Sequence, residues 1–383
     1  MEVRKLYYED CHLRRFEARV LRCREDGKAY LVTLDATAFY PEGGGQACDL
    51  GTLGQANVLD VQEEGRQVVH RCDSPLEVGS IVTGEIDWAR RFDLMQQHTG
   101  EHILSGLINA RFGYHNVGFH IGENVLEVDF DGPIDLESLA QLEAEANAIV
   151  WENRPMHCWY PTEEELPEVK YRSKKALDWP VRIVQVPGAD TCACCGVHVA
   201  HTGEVGLIKV LSCVKFHQGV RLEMVCGQRA YDYMSRVYDQ NRQVSQLFSA
   251  KVLETAAAAK RVQEQLNTEK FRAAGLEKAL YRAIAKSYVN QGDVAHYEPG
   301  LNAAGVRELA DAIAEVCGGV AAVYSGNDEA GYMVCLIHHG GDVKALGSAM
   351  AKALDGRGGG KPGTFQGSLK ATRQDIEDFF AMN

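Results

Sequence analysis

The sequence predicts an α+β protein of several parts: a small N-terminal β-barrel, a second α+β domain, a long helical or coiled-coil segment and a C-terminal α/β domain. Three observations predict it. Short apolar runs broken by Gly and Asp crowd the first 88 residues, as in a small barrel or sandwich. Apolar residues then recur at helical spacing around two His residues, with strands following. Finally, residues 228–290 hold no Pro and only one Gly, Gly275. A chain of 383 residues is also too long for one ordinary domain. The expected boundaries are 1–88, 89–226, 227–290 and 291–383.

In the first part the strand candidates are Tyr30–Leu34, Ala56–Val61, Gln67–His70 and Ile81–Ile86. The loop Phe39-Tyr40-Pro41-Glu42-Gly43-Gly44-Gly45-Gln46 lies between the first two. Glycine has no Cβ, so this loop can bring backbone close to a ligand or simply form a hairpin turn. The second part opens with a helix from Trp88 to about Ala110, on Phe92, Met95, Ile103, Leu107 and Ile108. Strands are expected at Val117–His120 and Val125–Phe130. A helix fits Leu136–Trp151, and further strands fit Val181–Val186, Gly206–Val210 and Val220–Val225.

Beyond Gly227, Val262, Leu266, Glu269, Ala273, Leu276, Leu280 and Ala283 follow steps of four and three, with six of the seven apolar. That is a coiled-coil or helical-hairpin seam, or one long helix packed on a domain. A break is expected at Ser249–Lys251. In the last part helices fit Val306–Val316 and Asp342–Leu354, strands fit Gly319–Tyr324 and Tyr332–Ile337, and a Gly-rich loop spans Gly356–Gly363.

Composition narrows the function. The apolar fraction of 45% is ordinary for a globular protein, and no apolar run reaches membrane-spanning length. The stretch Met1–Asp10 lacks the apolar core of a signal peptide, so a cytoplasmic protein is expected. Twelve scattered cysteines in a reducing compartment read mostly as buried thiols. The cluster Cys192, Cys194, Cys195 stands apart from them. A net charge of −13 argues against whole-surface binding of nucleic acid but leaves room for a local basic groove. The candidate runs from Lys352 to Arg373, where Lys352, Arg357, Lys361, Lys370 and Arg373 face only Asp355. The Gly356–Gly363 loop inside it can cradle phosphate through backbone N–H groups. It is not a nucleotide P-loop, because no Ser or Thr follows Lys361.

The chemistry concentrates in two short segments, His98-x-x-x-His102 and Cys194-x-x-x-His198. On a helix the first pair shares a face one turn apart. Together they supply three imidazoles and a thiolate, a set that tetrahedral zinc accepts. Cys194 rather than Cys192 or Cys195 repeats the four-residue offset to His198. The zinc can be catalytic or structural. The first pair also matches His-x-x-Glu-His, the inverted zinc-protease pattern with Glu101 as base, but that reading leaves the second pair without a job. His120, His201 and Asp129 lie near these segments in sequence and are secondary candidates for the pocket.

Taken together, Thr37-Ala38-Phe39-Tyr40-Pro41-Glu42-Gly43-Gly44-Gly45-Gln46, His98-x-x-x-His102, Cys194-x-x-x-His198 and Thr202-Gly203-Glu204-Val205-Gly206 resemble the AlaX-type alanyl-tRNA editing proteins. These are relatives of the editing domain of alanyl-tRNA synthetase. The helical stretch and the tail with Gly358-Gly359-Gly360-Lys361-Pro362 resemble the C-terminal DHHA1-type domain of the long form. The resemblance implies a zinc-dependent hydrolase that removes serine, or glycine, from mischarged alanine tRNA. His98, His102, Cys194 and His198 would hold Zn2+, Thr37 would meet the serine hydroxyl, and Gln46 would shape the pocket. Arg357, Gly358, Gly359, Gly360 and Lys361 would contact tRNA, and the C-terminal region would form a homodimer. Val197 and Cys195 depart from the synthetase motif, which usually carries Thr and Gly there.

Overall fold

The computed structural model describes residues 2–173 and 179–382, in two compact units, Met1–Asn241 and Arg242–Asn383. No helix among the described residues is long and apolar enough to cross a membrane.

The first unit begins with a closed barrel of six strands, in the order Arg15–Asp26, Ala29–Leu34, Gln67–Cys72, Ala56–Glu64, Gly51–Leu53 and Ile81–Ile86. The last strand pairs with both Gly51–Leu53 and Arg15–Asp26, which closes the ring and leaves no edge. Sequence reasoning missed the longest of these strands, Arg15–Asp26. Its signal was strict alternation: Phe16, Ala18 and Val20 are buried, while Arg15, Glu17 and Arg19 face out. Its inward residues join Val32, Leu34, Leu53, Val58, Val61 and Val68 in one apolar core.

A second core in the same unit packs two helices, Trp88–Phe112 and Leu136–Trp151, on a four-stranded antiparallel sheet. The strand order is Ile208–Phe216, Gly219–Cys226, Leu126–Phe130, Asn116–Ile121. The first helix starts at Asp87, whose carboxylate accepts from Arg90 N, and stops at Gly113 in the left-handed conformation. Every residue from Leu94 to Gly106 is buried. A helix enclosed on all sides is normally apolar. This one carries Gln96, Gln97, His98, Thr99, Glu101 and His102 at its centre, which marks the segment as a site. A three-stranded sheet, His157–Trp159, Ile183–Val186 and Asp190–Ala193, delivers the chain to Cys194.

The second unit is built on a five-stranded sheet in the order Gly292–Tyr297, Gly318–Asn327, Gly331–Ile337, Thr364–Leu369, Arg357–Lys361. Alternation splits its side chains between two cores. Ala321, Val323, Cys335 and Ile337 meet the Ala303–Cys317 helix on one face. Ala322, Tyr324, Val334 and Leu336 meet Met350, Ile376 and Phe379 on the other. Only the first strand pair is parallel, so the expected α/β domain is a mixed sheet. The strand Gly292–Tyr297 and the helix Arg373–Met382 were not anticipated.

The seam residues lie on one continuous helix, Thr255–Ala285, preceded by the expected break. Val262, Leu266, Leu276 and Leu280 are exposed on it. One expectation fails here. Arg357, Gly358, Gly359, Gly360 and Lys361 do not form a loop; they are the fully exposed edge strand Arg357–Lys361. The glycines permit this pairing, because a Cβ on Gly358 would sit 2.6 Å from the Phe365 ring.

Candidate metal centre

His98 and His102 project from the buried helix one turn apart, and Cys194 and His198 come from the loop after the Asp190–Ala193 strand. The structure brings one donor atom of each within 4.8 Å of all the others. Each imidazole is held at Nδ1 by a different partner. His98 Nδ1 donates to Gln46 Oε1 at 2.8 Å and His102 Nδ1 to Asp190 Oδ2 at 2.9 Å, and His198 Nδ1 lies 3.2 Å from Thr99 Oγ1. An amide oxygen only accepts, so the His98 contact puts the proton on Nδ1. The same Oε1 receives Val197 N–H at 3.2 Å, which fixes the amide's orientation.

All three Nε2 atoms are thereby left to face one another and the thiol. Cys194 Sγ lies 3.5 Å from His98 Nε2 and 3.4 Å from His198 Nε2. Tetrahedral zinc with bonds of about 2.0–2.3 Å sets ligand–ligand edges of about 3.5 Å. The donor set and its spacing fit that ion.

The electrostatics distinguish Cys194 from its neighbours. Burial pushes its thiol up, but His98, His102 and His198 outweigh burial and hold it well below the usual thiol range. Burial instead raises Cys192 to about 11, and it also raises Cys195. A thiolate is the form that binds metal, so Cys194 is the ligand candidate of the three. Burial and the neighbouring His98 take His198 down to about 3, which keeps it a neutral donor.

At His102 burial opposes protonation, yet Asp190 and Cys194 prevail and lift it well above the ordinary imidazole range. Asp190 is itself gripped by Arg172, with Nε and Nη2 each 2.7 Å from a carboxylate oxygen. His102, Asp190 and Cys192 also cluster within 4.8 Å. With both oxygens bonded to Arg172 and one also to His102, Asp190 orients a ligand rather than serving as one.

The cluster floors a cavity of about 750 Å3, in the range of small-molecule sites. His98, His102 and Cys194 line it together with Glu101, Asn116 and Phe119. Gly44 and Gly45 form part of its wall. They sit at φ 59° and 82° in a tight turn closed by paired Gly43 and Gln46 backbones, a geometry that favours glycine at both positions. A Cβ on Gly45 would lie 2.4 Å from the Phe119 ring. The Gly-rich segment is thus both a hairpin turn and a cavity wall.

Gln46 is fully buried at the cluster, with Nε2 lacking a hydrogen-bond partner. Thr37 is fully buried, and its Oγ1 is 2.8 Å from His70 Nε2 while accepting from Phe39 N. It lies outside the cavity lining.

His120, His201 and Asp129 are also outside the described lining. Asp129 is bound twice by Arg221, and His201 pairs with Glu204. Sequence reasoning missed Asn116, Asp190 and Arg172. Asp190 meets His102 across 88 positions, and no local pattern announces such a contact.

Two segments match known families. Residues 6–90 match the family described as tRNA synthetases class II (A), and residues 181–229 match the threonyl and alanyl tRNA synthetase second additional domain. Over 96% of its length the chain is 28% identical to the alanyl-tRNA editing protein Aarsd1-A of Xenopus laevis, covering 94% of that protein. It is 27% identical to Aarsd1 of Danio rerio, with 96% and 95% covered. It is 32% identical to the alanine–tRNA ligase of Thermofilum pendens over 97% of its own length but only 42% of the ligase. The second-additional-domain match covers Cys194 and His198, and the chain is similar nearly end to end to alanyl-tRNA editing proteins.

Proposed function

We propose that this protein is a trans-acting hydrolase that cleaves the ester between a wrong amino acid, serine or glycine, and alanine tRNA. Water adds to the ester carbonyl, the amino acid leaves as a carboxylate and the tRNA keeps its free terminal hydroxyl. The observation that carries the reading is the convergence of His98, His102, Cys194 and His198, the first three of which line a cavity walled by the Gly44–Gly45 turn. These four residues would hold zinc, which supplies a Lewis-acid centre beside the ester when bound. Gln46, Asp190 and Thr99 keep the three rings turned with Nε2 inward. Phe119 and the glycine turn exclude bulk water from the floor. An aminoacyl ester is already labile, so positioning at such a centre suffices without a dedicated carboxylate base.

The test is a pair of alanine tRNAs carrying serine or alanine. Serine is expected to be released at least roughly ten- to a hundredfold faster, the range set by leaving one buried polar group unpaired. Equal inertness toward both by zinc-loaded protein would sink the proposal.

The exposed strand Arg357–Lys361 is our proposed tRNA contact, a local cationic feature on a chain of net charge −13. Joint Arg357→Ala and Lys361→Ala replacement should weaken tRNA binding and lower the slope of log affinity against log salt by about two. Catalysis on a bound fragment of the acceptor end should persist. An unchanged slope would place the contact elsewhere.

A further inference from the structure

The cavity is lined by two acceptors that the protein leaves short of donors. Glu101 is 4% exposed, and its Oε1 receives Ser105 Oγ at 2.5 Å and Asn116 Nδ2. Both partners are neutral. Among the described residues no Lys, Arg or His stands within 4.0 Å of its carboxylate as an ion pair. The cation on the same cavity wall, Arg172, is already committed to Asp190 by two bonds of 2.7 Å. Asn116 is 5% exposed and spends its Nδ2 on Glu101, and its Oδ1 is buried with no partner. The carboxylate receiving Nδ2 fixes which end of the amide is which. A buried carboxylate with no cation in ion-pair contact and a buried carbonyl without a donor are each unfavourable unless a ligand supplies what is missing.

We propose that Glu101 and Asn116 form the subsite for the α-ammonium group of the aminoacyl ester. The inference rests on the hydrolase reading above and assigns a residue pair within that site. An ammonium carries one positive charge and three donors, so it satisfies the carboxylate and the amide oxygen together. A hydroxyl would serve Asn116 Oδ1 but leave Glu101 without a contact ion pair. The pair sits beside the metal cluster, since Glu101 immediately precedes His102 on the helix and lines the cavity with it. Binding the ammonium there holds the ester carbonyl, one carbon away, in the cavity that the cluster also lines.

The experiment compares two nonhydrolysable ligands, adenosine carrying a 3′-amide-linked seryl group and its counterpart lacking the amino group, 3-hydroxypropanoyl. Calorimetry on zinc-loaded full-length protein should show the seryl ligand binding about tenfold or more tighter. Glu101→Gln should erase that preference by weakening the seryl ligand alone, with zinc content unchanged. Asn116→Ala should reduce the preference in part. Equal loss for both ligands, or a preference that survives Glu101→Gln, overturns the assignment while leaving the hydrolase reading standing. Failure of the native protein to bind either ligand overturns that reading, and the subsite with it.

Discussion

Cys194→Ala should lose its zinc and at least a hundredfold of Ser-tRNA hydrolysis, about 2.7 kcal/mol of transition-state stabilisation, while the chain stays folded. The fold is expected to survive because the surrounding core is large and apolar. Met95, Ile103, Leu104 and Ile108 on the helix and Leu126, Val128, Leu222 and Met224 on the sheet are all buried in one cluster. None of that packing needs the ion. Zinc analysis, far-ultraviolet circular dichroism and single-turnover deacylation separate the outcomes. A protein that unfolds on losing Cys194 would be held together by a structural zinc. Full activity without zinc would remove the metal from the chemistry. Cys195→Ala is the matched control. Burial raises its thiol, so zinc content should not change.

The parts of this structure that were legible beforehand are those written in local order. Ile81–Ile86 and Leu136–Trp151 have the expected bounds because each shows its period over a full element. The candidate ligand set His98, His102, Cys194 and His198, whose donor atoms cluster in the fold, was legible from residue type and spacing. What stayed hidden depends on register or on distant partners. The contact of Thr37 with His70 arises from barrel pairing that no local pattern shows. Glycine-rich Arg357–Lys361 reads as loop because composition carries no sign of the strand Thr364–Leu369 that pairs with it. Gln46, Thr99 and Asp190, which orient the three imidazoles, reach them across 52, 99 and 88 positions. Periodicity is silent on contacts of that length, so Thr99 and Asp190 emerged only from the fold, while Gln46 was reached through the resemblance.

Removing Arg91 should destabilise the first unit by about 3–5 kcal/mol, a large share of an ordinary domain's stability of about 5–15 kcal/mol. Its guanidinium is fully buried. It donates through Nε to Asp49 Oδ1 at 2.8 Å and through Nη2 to Asp49 Oδ2 and Ala38 O. Asp49 in turn accepts Tyr40 N–H at 2.5 Å. The pair therefore ties the helix bearing His98 and His102 to the segment running from Ala38 to Asp49. That segment contains the Gly44–Gly45 turn and Gln46, whose amide holds His98. Arg91→Met leaves a buried carboxylate unpaired and loosens this brace. Zinc affinity should then fall roughly ten- to a hundredfold, as when an outer-shell partner is lost. Adding Asp49→Leu to Arg91→Met removes the stranded charge and should recover much of the stability, since apolar replacement of both partners is often neutral. It should not recover the zinc affinity, because Asp49→Leu also takes the acceptor from Tyr40 N–H and leaves Gln46 without its support. Denaturant unfolding and competitive zinc titration of the single and double variants measure the two effects separately. A stability loss under about 1 kcal/mol for Arg91→Met would mean the pair is no brace. Recovery of both properties together would mean that it acts on the site only through stability.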